Sequence, residues 1–294
     1  WHIECSAMSM KYLGKHFDIH TGGIDHVPVH HTNEIAQSEG SYDEAERAKG
    51  PWVDYWMHNE FLILEGGKMS KSSGHFITLQ TSLPPEKGFS LKDKGYEPLD
   101  YRFFLLSGHY RKQLVFSLDA LESAKNGRAA LNQRVAKLIL KANNEEKLGI
   151  TEKNFAEVLA KIDFEDESLA KFREGLSNDL ATPVAMACLQ KESNGKGVKA
   201  GEALSAIFKM EKVLSLSVIE NGFKIAAEQE KSAGTTAIDH SGDPEAAEID
   251  ALVAERTTAK KEKNFARADE IRNLLTARGV IIIDTPNGPT WKRS

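Results

Sequence analysis

The chain has 294 residues, with 38 lysines and arginines against 43 aspartates and glutamates, a formal charge of −5. That length accommodates about two domains and a small extra module. Apolar residues make up 40 % and charged ones 28 %, which excludes wholesale disorder, and no run approaches the ~18 apolar residues that would span a bilayer. Cys5 and Cys188 are the only cysteines, so a secreted disulfide framework is excluded and a reducing, cytoplasmic setting is expected.

In chain order, residues 1–14 have helical spacing and stop at Gly14. Phe17-Asp18-Ile19-His20 alternates like a short strand, with Thr21-Gly22-Gly23 as its turn. Residues 30–39 read as a helix ending at Gly40, and Phe61–Leu64 as a short buried strand feeding a loop over 66–74. Strand, helix and strand with glycine turns between them predict an α/β sheet domain. After Pro84-Pro85 the strands are expected to disappear. Ser117 can cap a helix with Leu121, Ala124, Leu131, Val135 and Leu138 on one stripe. Leu169, Phe172 and Leu176 mark a second helix. Thr182-Pro183 is a cap followed by proline in the first turn, and Leu204, Ile207 and Phe208 lie on another helix. That predicts an all-helical bundle. Residues 226–246 are polar and aperiodic, a linker. Beyond it come two short helices separated near Asn264, an apolar strand over 280–283, and Asn287-Gly288 as a hairpin turn.

Three features carry chemistry. Six of the ten histidines fall in the first 31 residues. His30 and Glu34 leave one face of the predicted helix, and with the thiol of Cys5 they offer three zinc-ligand types. Histidine four residues before glutamate is more often a solvated helix face than a ligand pair, and a lone cysteine is more often core. His31 reads as a solvated or satisfied histidine, and Cys188 as core. The 66–74 loop lacks the Walker spacing, with Leu62 and Met69 where glycine and Ser/Thr would stand. Its two lysines and three serines after a strand can still grip a polyphosphate. From Glu255 onward nine basic residues face five acidic ones. Arg256, Lys260, Lys263 and Arg267 align only if one continuous helix carries them, and either phosphate contact or a solvated face fits that stripe. Trp291 stacks on an unpaired base or closes a small core.

Together these stretches resemble the cysteinyl-tRNA synthetases, a family of class I aminoacyl-tRNA synthetases. The resemblance rests on Trp1-His2-Ile3-Glu4-Cys5-Ser6-Ala7-Met8, Phe17-Asp18-Ile19-His20-Thr21-Gly22-Gly23-Ile24-Asp25 and His30-His31-Thr32-Asn33-Glu34-Ile35-Ala36-Gln37-Ser38-Glu39. It rests also on Lys68-Met69-Ser70-Lys71-Ser72, a signature of class I synthetases generally. Ser107-Gly108-His109-Tyr110-Arg111, residues 265–272 and Asp284-Thr285-Pro286 complete it. Thr21 stands where the family usually has glycine, and Pro28-Val29 where it commonly has Phe-Pro; residues 81–97 are longer than usual.

The resemblance implies zinc, one per chain, held by Cys5, His30 and Glu34. It implies Lys68 and Lys71 as catalytic residues, Lys71 with Gly22 and Gly23 at ATP, and Trp1, His20 and Asp25 at the substrate. ATP, with Mg2+, L-cysteine and tRNA(Cys) are the implied partners of a monomeric, non-membrane enzyme. The family's remaining zinc cysteine and its HIGH signature are absent, so the chain is expected to be the carboxy-terminal part of a longer enzyme and inactive alone. The implied organisation is the second half of a Rossmann-type α/β catalytic domain over 1–80, then a stem-contact region over 81–115. A tRNA-binding all-α bundle follows over 116–225, a linker over 226–246, and a small α+β anticodon-recognition module over 247–294. Alternatives are the cysteine ligase of mycothiol biosynthesis, which lacks the terminal module, a non-catalytic tRNA-binding fragment, and a zinc hydrolase.

Overall fold

The computed structural model describes residues 1–65, 76–84, 86–234, 243–262, 264–285 and 288–293. Helix α1 (His2–Leu13) ends at Gly14, whose φ of 94° suits glycine. Strand β1 (Phe17–Gly23) leads through a 3-10 turn (Ile24–His26) and a π turn (Val27–His31) into α2 (Thr32–Gly40). A single turn, α3 (Glu44–Arg47), is capped by the Asp43 carboxylate, and β2 (Val53–Asn59) returns parallel to β1. This strand–helix–strand unit closes over Tyr42, Trp52 and Val53, with Phe17 and Ile35 against them. The strand expected to stop at His20 instead runs to Gly23, because Thr21, Gly22 and Gly23 pair with Met57, His58 and Asn59.

Three short strands follow before the helices take over. β3 (Leu62–Leu64) precedes β4 (Phe76–Thr78), and β4 pairs parallel with β5 (Gly88–Ser90). Gly88 has φ 137°, and a Cβ there would meet the Phe76 carbonyl oxygen at 1.8 Å. Only glycine fits. After α4 (Pro98–Leu106), β6 (Leu114–Phe116) pairs parallel with β3. Strands therefore continue past Pro84, contrary to expectation, since three residues are too few to show a period. Phe61, Leu62 and Ile63 are each more than a third exposed, so the run expected to be buried is not.

The helical region begins where expected. Ser117 Oγ accepts the Ala120 N–H and opens α5 (Leu118–Asn144), whose buried face includes Leu121, Leu131 and Val135. Short α6 (Phe155–Ala160) and Asp166-capped α7 (Glu167–Ser177) lead to α8 (Thr182–Ser193). Ala181, not Thr182, occupies the cap of α8; Thr182 Oγ1 donates instead to the Gly108 carbonyl at 3.0 Å. α9 (Ala200–Leu214) and α10 (Val218–Gly234) complete the bundle. The backbone N–H groups of Leu216 and Val218 donate to the Glu211 carboxylate, tying the start of α10 to α9. Leu121, Leu131, Ala203, Leu204, Ile207 and Met210 are fully buried in one core. Cys188 belongs to that core. The polar stretch from 226 is helical to Gly234, because Ala226 is buried and the residues after it are good helix formers; 235–242 lie outside the described residues.

The carboxy-terminal module pairs α11 (Ala246–Lys261) and α12 (Phe265–Ala277) with β7 (Val280–Thr285) and β8 (Gly288–Arg293). Asn264 separates the helices, its side chain accepting the Arg267 N–H at 3.2 Å. The two strands form the expected antiparallel hairpin, in which Gly288 pairs with Thr285 as a strand residue. Asn287 itself is outside the described residues. The whole is a mixed α/β and helical architecture with small sheets.

Candidate active site and metal centre

The site is built at the β1 carboxyl end, where an α/β unit presents its loops. The π turn over Val27–His31, a wide turn of the kind that recurs at functional sites, carries His30 and His31 into α2 directly below Glu34. Glu34 is fully buried. One oxygen, Oε2, lies 2.8 Å from His20 Nε2 and 4.0 Å from His31 Nε2. The other, Oε1, lies 3.1 Å from His30 Nε2 yet accepts no hydrogen bond. Cys5 comes from α1, which is held to α2 by the Ser6 hydroxyl donating to the Glu34 carbonyl at 3.4 Å. The ligand atoms of Cys5, His30 and Glu34 all fall within 4.8 Å of one another. Burial and the neighbouring Glu34 carboxylate push the Cys5 thiol up, so a cation is needed to hold it as thiolate. A buried carboxylate oxygen without a donor, beside an imidazole and a thiol, fits a tetrahedral soft cation such as zinc.

Two glycines shape the wall. A Cβ on Gly22 would lie 2.5 Å from His31 Cε1, and one on Gly23 would lie 2.4 Å from Asp25 Oδ1. At Gly22 the neighbour is the buried His31 ring, which closes the position to a side chain; at Gly23 it is only the end of the exposed Asp25 side chain. Asp25 is exposed beside them on the 3-10 turn. His20 packs among Phe17, Trp52 and Trp56, at ring distances of 5.8, 5.6 and 4.9 Å. Trp1 stands 89 % exposed at the start of α1 and is not seated against His20. Lys68 and Lys71 lie outside the described residues.

Sequence reasoning missed His58. The β1–β2 register sets it opposite Gly22, and its Nε2 lies 2.8 Å from His31 Nδ1. Only that pairing signals it. His31, read as solvated or satisfied, is the latter: buried, with burial and nearby His20 pushing it down to about 4. It is a neutral imidazole at pH 7.

With this geometry stand two matches to known families. Residues 1–126 match tRNA synthetases class I (C) catalytic domain, and residues 244–291 match the cysteinyl-tRNA ligase anticodon binding domain. Over its full length the chain is similar to the cysteinyl-tRNA synthetases. Along its full length it is 43 % identical to a cysteine–tRNA ligase of Treponema denticola and 38 % identical to one of Brachyspira hyodysenteriae, covering 56 % of each. A cysteine–tRNA ligase of Borreliella burgdorferi is 35 % identical, with 55 % of its length covered. The chain thus spans a little over half the length of these curated relatives. Among the described residues no helix is long and apolar enough to cross a membrane.

In the terminal module the structure decides between the readings that the sequence left open. Trp291 is 2 % exposed in a core with Ile249, Val253, Ile271 and Leu275, and its Nε1–H donates to Asp250 at 2.7 Å. It closes the core and is not presented for base stacking. The basic stripe also does not form: Arg256 is buried, and Arg267, beyond the Asn264 break, pairs with Glu255 and Glu270. Lys263 is outside the described residues. Arg278 pairs with Glu248, and Arg293 with Asp243 and Glu245. Those partners precede Glu255 in sequence, so the local excess of positive charge is largely matched by carboxylates that folding brings alongside.

Proposed function

We propose that this chain is the zinc-binding and tRNA-recognising part of an ATP-dependent cysteine–tRNA ligase. In that reaction the cysteine carboxylate attacks the α-phosphate of ATP, releasing pyrophosphate. The terminal ribose hydroxyl of tRNA(Cys) then attacks the adenylate carbonyl, releasing AMP. The observation that carries the reading is the buried Glu34 oxygen without a donor, gathered with Cys5 and His30 within 4.8 Å. Zinc held by these residues supplies a soft centre for the substrate thiolate, for which a serine hydroxyl is a poor substitute. Residues 1–80 are the second half of a Rossmann-type domain. Gly22 and Gly23 bind ATP through their backbone, and His20 and Asp25 face the substrate. Trp1 belongs to the cysteine pocket of the complete enzyme. Lys71, with Lys68, stabilises charge on the phosphates, where preorganised donors act most strongly. Mg2+ accompanies ATP, and the setting is cytoplasmic. The helical bundle supports the inner face of the tRNA, and the terminal module reads the anticodon. The match over 244–291 favours this reading over the mycothiol ligase, which lacks such a module.

The test is zinc analysis of the full-length protein, wild type against Cys5→Ser, together with its choice between cysteine and serine. The variant is expected to lose zinc and much of its preference for cysteine, because a made-or-missing bond discriminates strongly. Unchanged zinc content and unchanged preference would overturn the assignment.

A further inference from the structure

Helix α5 carries two inward-lying arginines that are held differently. Arg128 is buried, and two carboxylates match its guanidinium: Nε donates to Asp100 at 2.8 Å and Nη2 to Glu97. Arg111, Arg173, Arg267, Arg278 and Arg293 also face carboxylates. Arg134, half-buried at the seam of α5 and α8, does not. Its Nε donates to Ser193 Oγ at 2.7 Å and its Nη2 to Gln190 Oε1, both neutral acceptors. Ser193 Oγ in turn donates to the Gln190 carbonyl at 2.8 Å, so the acceptor pair is itself fixed. Glu192, between them in sequence, lies beside Ser168 and Asp166 instead.

Burial pushes the Arg134 guanidinium down, with no carboxylate near enough to offset it. Arginine stays charged regardless, so the seam keeps a positive charge without a counter-charge, which is costly away from water. The two bonds to α8 occupy one edge of the guanidinium and fix its plane, while Nη1 donates to no described residue. The outer edge is thereby presented as a preset fork for an anion. Lys137 and Lys141 follow on the same face of α5. Lys137 is exposed, and Lys141 reaches Glu145 only at 4.0 Å. A fork followed by two ammonium groups along one stripe matches a run of phosphates better than a single carboxylate.

We propose that Arg134, with Lys137 and Lys141, is a phosphate-binding stripe on the helical bundle that takes the backbone of the tRNA. The inference rests on the ligase reading above, which supplies the polyphosphate partner. In that reading the bundle joins the residues matched to the catalytic domain to those matched to the anticodon-binding domain. In the full-length enzyme, Arg134→Gln removes the charge and keeps a donor for Ser193. It should weaken tRNA(Cys) binding about fivefold at low salt and flatten the slope of log affinity against log salt by about one unit or less. Phosphate contacts carry no sequence information, so an anticodon-mutant tRNA should lose the same factor, with cysteine-dependent pyrophosphate exchange within about twofold of wild type. Arg134→Lys keeps the charge without the fork and should recover the salt slope but only part of the affinity. Lys137→Gln should flatten the slope in the same direction. An unaltered slope in Arg134→Gln overturns the proposal, and a lowered unfolding midpoint beside it would leave the arginine as a tie between α5 and α8. If that variant does not fold, an unaltered slope in Lys137→Gln overturns the proposal. A wild-type protein that charges no tRNA with cysteine would instead overturn the ligase reading itself.

Discussion

Glu34 organises the candidate centre because it is the carboxylate shared by two sets of neighbours. Its Oε2 is satisfied by His20, while Oε1 lies 3.1 Å from His30 Nε2 without accepting a hydrogen bond from it. Leaving a buried carboxylate oxygen unpaired is costly, and a cation removes that cost, which is why the ligand reading is preferred to that of a solvated helix face. The lysine loop makes a separate prediction at this scale. If Lys71 stabilises the transferring phosphates, Lys71→Ala should remove roughly 2–4 kcal/mol of transition-state stabilisation. The loss belongs in the rate of pyrophosphate exchange at saturating cysteine, with cysteine affinity little altered. An unchanged rate would show that the loop is merely solvated.

Among the elements, the α9–α10 corner shows how a charged side chain is used inside the bundle. Glu211 is largely buried and accepts the backbone N–H groups of Leu216, in the connection, and of Val218, the first residue of α10, and burial nonetheless pushes its carboxyl above the usual 4.5. A carboxyl raised in the folded state favours folding most when protonated. Its contribution is fully present below the unfolded value near 4.5 and is lost as pH rises through the folded value. Denaturant unfolding at pH 4 and pH 7.5 checks this: the stability of wild type relative to Glu211→Gln should be greater at the lower pH. An advantage independent of pH would mean that the backbone hydrogen bonds alone decide the corner. The other element-scale lesson concerns length. Ser117 and Asn264 could be recognised as helix caps from sequence because capping is a contact across three residues. β5 and β6 could not, because three-residue strands exist only through partners 12 and 52 residues away.

For the whole molecule, the terminal module is the part whose role can be separated most cleanly. It has its own core around Trp291 and its own ion pairs. Deleting 247–294 from the full-length enzyme is therefore expected to leave cysteine activation intact, weaken tRNA binding and blunt preference for the cysteine anticodon. Charging of wild-type and anticodon-mutant tRNA measures it; an unaltered ratio would assign the module another task. Because Arg267, Arg278 and Arg293 are already paired with carboxylates, the deletion should flatten the salt dependence of tRNA binding by only about one unit or less for each phosphate it ceases to neutralise. Discrimination should change more than the salt slope, since base contacts specify whereas phosphate contacts position.

The family, the helix ends at Gly14, Ser117 and Asn264, the burial of Cys188 and the pairing of His30 with Glu34 were all legible in the order of residues. Each is either a motif or a contact within about four residues, so the information lies along the chain. The rest came only with the folded chain. Strand register put His58 against His31, and packing decided between the two uses open to Trp291 by placing it at the centre of a core. Carboxylates from 243–248 came to lie beside the arginines that follow them, and Asp179 met Arg111 across 68 residues. Burial and charge pairing depend on what approaches through space, and the order of residues near Trp291 or Arg111 does not contain their partners.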